Sequence, residues 1–397
     1  GMPTTTQLEG KGRDGHLNAG EISGNPELKV ALLSGGSSIH TIRWANGLSN
    51  AGVDVLLITQ HDLLEQVVPA VRIRRLPHSG ELGYFRNVPA LRKILAAEKP
   101  DVLNAHYASG YGTTARLAGF QPLLLSVWGS DVYDFPEKSI LHRWLLRKNL
   151  MAATKVASTS HAMAAQSRRI VPELGEIAIT PFGVDTDYFV HGLAAVSSPD
   201  APIVIGTVKV LKDKYGIDTL IDSMAVLVAR LRRFGHDTVP PVKLRIVGDG
   251  PQMGELKGRA SHNGIGGLVE FVGRVPHEKV PDELRKLDIY VALSRLDSES
   301  FGVAIIEASA CSLPVVVSDV GGLPEVVDDG VTGIVVPREN AEAAAVALER
   351  LVLDQQLRQT MGAAGRKRVA NLYDWHQNVR QMISVYEDVV RESKRAG

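Results

Sequence analysis

Two carboxylates, Glu299 and Glu307, stand with seven residues between them in the run ESFGVAIIE. A polar loop, Asp297 to Ser300, leads through Phe301-Gly302 into the small, apolar stretch Val303 to Ser312, which reads as a buried helix. A helix starting near Ser300 offers unpaired N–H groups to that loop, and such groups hold anions. Glu299 then sits just before the helix and Glu307 about two turns into it. Carboxylates so placed accept hydrogen bonds from sugar hydroxyls, with a phosphate held between them. Ile305, Ile306, Ala308 and Ala310 around Glu307 read as buried, and a carboxylate among them needs a partner.

Other candidates follow predicted strands. Lys209 and Lys214 come directly after the strand Ile203 to Val208. His106 ends the strand Val102 to His106, and Asp131 lies in the exit loop of the strand Leu123 to Trp128. Ligands of open parallel sheets bind beyond the carboxyl ends of the strands, so His106 and Asp131 are site candidates, with a structural role open for each. Gly35-Gly36 follows the strand Lys29 to Ser34 and lets a ligand approach the backbone. Gly248 opens the turn GDGP after Lys243 to Val247, and Arg274 and Val275 follow the strand Val269 to Val272.

These residues need strand–turn–helix units to position them, and the chain is built of such units. Further strands are predicted at Val53 to Thr59, Val71 to Leu76, Lys155 to Thr159, Ile177 to Thr180, Asp288 to Leu293 and around Val315 to Val317. Helices are predicted at Val88 to Ala97, Ile217 to Arg232, Val280 to Lys286, Ala341 to Leu353, Asp354 to Asn371 and Trp375 to Arg395. Short β-branched runs alternating with helical segments predict α/β architecture with doubly wound parallel sheets. At 397 residues the default is two domains. The expected division is 27–190 and 191–374, the final helix 375–397 completing the first. His191 to Pro202, rich in Ala, Ser and Pro, reads as the linker, and 1–26 as a disordered leader.

A formal net charge of zero argues against a general nucleic-acid binder. The single Cys311 excludes an internal disulfide and reads as a buried, inert thiol. No apolar run is long enough to span a bilayer, and the first residues lack the apolar core of a signal peptide, so a cytoplasmic protein is expected. From Lys138 to Pro172 there is no acid, while Arg143, Arg147, Lys148, Lys155, Arg168 and Arg169 occur among apolar residues. That pattern fits either an anionic membrane surface or an ordinary solvated basic face.

The run from Ser294 to Pro337, with its Glu-x7-Glu spacing, EASACSLPVVVSDVGGLPEVV and DGVTGIVVP, resembles the donor site of family four retaining glycosyltransferases, which have GT-B architecture. The resemblance extends to VGDGP at 247–251 and, more loosely, to PFGVD at 181–185, where Phe182 replaces the usual Asn. It implies two Rossmann-like domains facing across a cleft, a nucleotide-sugar donor on the second and a glycan or lipid-linked acceptor on the first. Lys209 and Lys214 would neutralise the donor diphosphate, with Lys209 standing where Arg is usual and Tyr215 inserted before Gly216. Ser300, Phe301, Gly302 and Val303 would offer backbone groups to it. Glu299 would hold sugar hydroxyls and Glu307 the ribose, while Gly36, Gly248, Arg274 and Val275 would line the cleft and base pocket. No metal or other cofactor is expected. Uridine diphosphate sugars are the commonest donors of the family, and polysaccharide biosynthesis is the expected setting.

One departure stands out. Where many members carry His-Gly-Ser-Asp, this chain has Trp128-Gly129-Ser130-Asp131. Trp can donate through its indole N–H but cannot accept a hydrogen bond or carry a proton. The His role is either vacant or moved, with His106 and Asp131 as the candidates for it. An epimerase or hydrolase of the same fold, or a non-catalytic nucleotide-sugar-binding protein, remains open beside the transferase. A dehydrogenase is disfavoured because no Gly-x-Gly-x-x-Gly follows a strand.

Overall fold

The computed structural model describes residues 27–192, 200–235 and 238–397. The expected disorder of 1–26 and most of the expected linker, 193–199, lie outside the described residues.

Two parallel sheets organise the chain. The first contains β1 (Lys29–Leu33), β2 (Asp54–Thr59), β3 (Arg72–Arg75), β4 (Val102–His106), β5 (Leu123–Val127), β6 (Lys155–Ser158) and β7 (Ile177–Ile179), in the order β3-β2-β1-β4-β5-β6-β7. The second contains β8 (Ile203–Val208), β9 (Val242–Val247), β10 (Val269–Gly273), β11 (Ile289–Ala292), β12 (Val315–Ser318) and β13 (Gly333–Val336), in the order β10-β9-β8-β11-β12-β13. Central strands such as Val102–His106 and Val315–Ser318 are buried along their whole length. Helices cover both faces there, so these central strands are buried throughout rather than alternating, whereas the edge strand β3, Arg72–Arg75, is exposed.

Each sheet reverses its strand order once, between β1 and β4 and between β8 and β11. A crevice opens beyond the carboxyl ends of the strands at such a point. Gly35 and Ser38 therefore adjoin one crevice, and Lys209 and Ser294 the other.

The last helix, Trp375–Ala396, packs on the first sheet's half. Trp375 lies 4.7 Å from Trp44, ring centre to ring centre, and under the Arg43 guanidinium. The Tyr386 hydroxyl donates to Asn104 Oδ1 at 2.7 Å.

The two halves also touch beside the crevices. The Ser300 hydroxyl donates to the Trp128 carbonyl at 2.8 Å. The Glu325 carboxylate accepts the backbone N–H groups of His161 and Ala162, the first of them at 2.9 Å. Those are the first residues of the helix His161–Ile170, so an acid of one half caps a helix of the other.

One element expected from the sequence needs correction. The helix carrying Glu307 starts at Val303 rather than near Ser300. Gly302, at φ 86°, holds a left-handed conformation that ends the preceding loop. That loop instead wraps the turn at Gly321-Gly322, where a Cβ on Gly322 would stand 1.9 Å from the Ser300 carbonyl oxygen. The basic run 138–172 divides into the helix Ile140–Ala152, the strand β6 where a strand was expected at Lys155 to Thr159, and the helix His161–Ile170.

Candidate active site

The cleft between the sheets contains a cavity of about 230 Å³. Its lining comes from both halves: His40, Tyr107, Trp128, Ser130 and Phe182 on one side, and Lys209, Lys214, Tyr215 and Ser298 to Ala304 on the other. Lys209, one residue past β8, pairs with Glu299 Oε2 at 3.1 Å. The Ser294 hydroxyl donates to the same oxygen at 3.3 Å. Burial works against both charges. Next to Lys209 and Lys214, however, the Glu299 carboxyl stays below its ordinary range, and next to Glu299 the Lys209 ammonium stays above its own. Tyr215 lies under both cations, 4.5 Å from Lys209 Nζ and 5.1 Å from Lys214 Nζ. The residue inserted before Gly216 thus supplies an aromatic face that holds the two ammonium groups together.

A second cavity, of about 300 Å³, lies beside Arg43, Glu65, Asp185, Tyr188, Phe189, His277, Glu278 and Glu307. Glu307 is 9 % exposed. Burial pushes its carboxyl up to about 7, against the pull of Arg43 and Lys209. Arg43 comes from the first half and is anchored through a 2.8 Å hydrogen bond to the Gly183 carbonyl. The positive charge that acts on Glu307 from across the cleft is Arg43, at longer range than an ion pair. Cys311, one turn further along the chain, is buried and its thiol is pushed up to about 12, as an inert thiol would be.

The remaining expected residues divide. Ser300, Phe301, Gly302 and Val303 line the first cavity with Glu299. Asp131 is buried, and its carboxylate accepts the N–H groups of Ala108 at 2.8 Å, Gly129 at 2.8 Å and Trp128 at 3.2 Å. It shapes the loop that presents Trp128 and does not face the cavity. His106 is sealed behind Trp128, stacked on the indole at 4.3 Å. Its Nδ1 pairs with Ser34 Oγ at 2.8 Å and its Nε2 with Asn104 Oδ1 at 3.1 Å. Burial pushes its imidazole down to about 3. Both ring nitrogens being engaged, His106 is a packing residue of the first sheet. Gly36 is buried and donates its N–H to Thr59 Oγ1 at 3.0 Å. Gly248, whose N–H donates to the Gly273 carbonyl at 2.8 Å, and Arg274 and Val275 lie beyond the two cavity linings, at the outer side of β9 and β10.

Sequence reasoning passed over His40. The structure puts it on the cavity wall. Its position six residues past a cleft-facing strand was the available signal.

Two facing Rossmann-like halves, with a carboxylate–lysine pair at the floor of the cleft, define a GT-B transferase. The profile described as "Glycosyl transferases group 1" matches residues 194–368, and that described as "Glycosyl transferase 4-like" matches 29–160. The chain belongs to this family of glycosyltransferases. It is 28% identical over 375 residues to a phosphatidyl-myo-inositol mannosyltransferase of Mycolicibacterium smegmatis, covering 89% of this chain and 90% of the relative. It is 34% identical over 212 residues to a GDP-mannose-dependent alpha-(1-6)-phosphatidylinositol monomannoside mannosyltransferase of the same organism. That match spans 49% of this chain and about half, 52%, of the relative. Among solved structures, sucrose-phosphate synthase from Thermosynechococcus elongatus superposes with a TM-score of 0.76 at 23% identity. It covers 92% of this chain and 100% of the other, which is a likeness of fold.

Proposed function

We propose that this glycosyltransferase moves a hexose, with retention, from a nucleoside diphosphate sugar to a lipid-linked polyol or glycan acceptor. One observation carries the reading. Glu299, the Lys209–Lys214 pair and the start of the helix Val303–Ala310 line one cavity of the cleft, and Glu307, further along that helix, lines the other. A donor with its sugar and diphosphate in the first cavity would carry its ribose toward the second.

In this reading Glu299 accepts hydrogen bonds from the sugar hydroxyls and Glu307 from the ribose. Lys209, Lys214 and the N–H groups near Val303 stabilise the departing diphosphate. They supply the charge compensation that the reaction needs, so the proposal includes no metal ion. The bond from the anomeric carbon to the diphosphate oxygen breaks first, leaving oxocarbenium character on the ring. The acceptor oxygen then bonds to that carbon from the same face and gives its proton to the departing diphosphate. Uridine is the expected base from its frequency in the family. Guanosine is favoured by the relative named for GDP-mannose.

Calorimetric titration of UDP, GDP and ADP into the protein tests the reading. Tight binding of one of them is expected, followed by turnover of the matching nucleotide sugar that rises when an acceptor is added. Binding of none would sink the proposal. Turnover indifferent to every acceptor would move it to a hydrolase or epimerase.

Among the described residues no helix is long and apolar enough to cross a membrane. The helix Ile140–Ala152 nevertheless exposes Ile140, Leu141, Trp144 and Met151 beside Arg143 and Lys148. The helix Gly80–Arg86, which like Ile140–Ala152 packs on the helix Gly110–Ala118, also exposes Leu82 and Phe85. The proposed setting is the cytoplasmic face of a membrane, with this patch resting on anionic lipid. Arg147 does not belong to the patch, because its guanidinium is tied to the Ile170 carbonyl and to Glu173. Co-sedimentation with vesicles containing anionic lipid should fall at least about fivefold when Arg143 and Lys148 become Gln and Trp144 becomes Ser, since each basic residue contributes about 1 kcal/mol. Unchanged co-sedimentation would make the patch an ordinary solvated face.

A further inference from the structure

Two departures from the family's pattern meet at one side chain. Phe182 replaces a polar residue and stacks face to face on the His40 ring, with centroids 4.3 Å apart and planes 21° apart. Trp128 replaces the usual His and presents its indole edge-on to the same ring at 6.0 Å and 78°. The two replacements also touch each other, 5.7 Å apart. Together they form an aromatic socket around an imidazole carried by the helix Ile39–Asn50.

The socket leaves that imidazole unsatisfied. Among the described residues, six side-chain nitrogen or oxygen atoms are buried without a hydrogen-bond partner. Two of them, His40 Nδ1 and Ser298 Oγ, belong to residues lining the same 230 Å³ cavity. They come from opposite halves, His40 from the first and Ser298 from the loop before Glu299. Leaving a buried polar atom unpaired is costly, so two in one cavity point to a ligand that pairs them.

Resting on the reading of the cavity as a sugar-nucleotide site, we propose that His40, assisted by Ser298, binds the hydroxyls of the transferred hexose. His40 thereby fills the role left vacant at Trp128. The ligand class fits, because a hexose offers several hydroxyls, each able to donate to one group and accept from another. A neutral imidazole does both. His40 is held in that form: burial and the adjacent Arg43 and Lys209 pull it down to about 4. Trp128 and Phe182 give the ring its orientation. His106, behind Trp128, has both nitrogens engaged inside the first sheet and leaves the place to His40.

The test compares a bare nucleotide with its sugar conjugate. His40→Phe keeps a ring on Phe182 and removes both nitrogens. Calorimetry with UDP against UDP-glucose, or GDP against GDP-mannose, should show the bare diphosphate bound within about twofold of wild type. The sugar nucleotide should lose about tenfold, one hydrogen bond's worth, and turnover at least as much. His40→Gln, whose amide both donates and accepts, should regain part of the loss, and Ser298→Ala should repeat the pattern more weakly.

A His40→Phe protein that binds the sugar nucleotide as wild type does overturns the proposal. Equal weakening of both ligands also overturns it, since His40 would then shape the diphosphate site alone. Should His40→Phe fail to fold, the same comparison on His40→Gln and Ser298→Ala decides: no selective loss in either refutes the proposal. Failure of the wild type to bind any of these nucleotides is a separate result. It defeats the functional reading and the His40 assignment with it.

Discussion

Lys209→Met is expected to reduce kcat/KM by about a thousandfold, the scale on which buried donors to a developing oxyanion act. It should also destabilise the unliganded protein. Lys209 and Glu299 are largely buried, with side chains 18% and 14% exposed, and pair at 3.1 Å. Removing the cation leaves the carboxylate without its main compensation, which costs about 3 kcal/mol. Two assays separate the effects. Adding Glu299→Gln to Lys209→Met should restore much of the lost stability, because no unpaired charge remains. It should restore no turnover. A Lys209→Met protein with wild-type kcat/KM would remove the diphosphate from this end of the cleft.

Glu307→Gln should act in opposite directions on binding and on stability. A carboxylate accepting two ribose hydroxyls contributes charge-assisted hydrogen bonds, so nucleotide affinity should fall about a hundredfold. Stability should rise, and only at higher pH. Burial pushes the folded carboxyl from its ordinary 4.5 to about 7. The unfolded chain therefore gives up this proton first. The cost of carrying Glu307 is absent below pH 4.5, grows as pH climbs to 7 and is complete above it. Its full size is roughly 3 kcal/mol. The Gln variant carries no such cost, so the two proteins should unfold alike near pH 4.5 and the variant should be the more stable at pH 8. Denaturant or thermal unfolding at both pH values checks the sign. A Gln variant that binds UDP or GDP like wild type would refute the ribose assignment.

The sheets were legible because their central strands are covered on both faces. VLNAH and VVVS read as apolar runs, and the structure buries them completely. Glu307 was legible for a related reason, as an acid among neighbours that could only be interior. The strand inside the basic run 138–172 was legible too: the expected Lys155 to Thr159 is β6, Lys155–Ser158. The His106 candidacy failed on a fact that lies across the sheet. Its nitrogens are taken by Ser34, 72 residues away in sequence, and by Asn104, itself held by Tyr386. His40 was illegible because nothing in the residues around it is unusual. Its meaning comes from Trp128 and Phe182, distant in sequence, closing on it from two sides. The cap that Glu325 places on the helix His161–Ile170 was illegible for the same reason.

That cap bears on recombination between relatives. The two halves look interchangeable, since each has its own sheet, and exchanging the second half would be the obvious way to engineer a different donor preference. The seam runs through side chains, however. Glu325 of the incoming half must meet the helix starting at His161, and Ser300 must meet the Trp128 carbonyl. A chimera whose donor half lacks an acid at position 325 leaves the N–H groups of His161 and Ala162 without their acceptor in the middle of the joint, with only the Ser160 cap on Met163 remaining. Successful grafts onto this chain should therefore be those that carry Glu325 and Ser300 across together with the donor pocket.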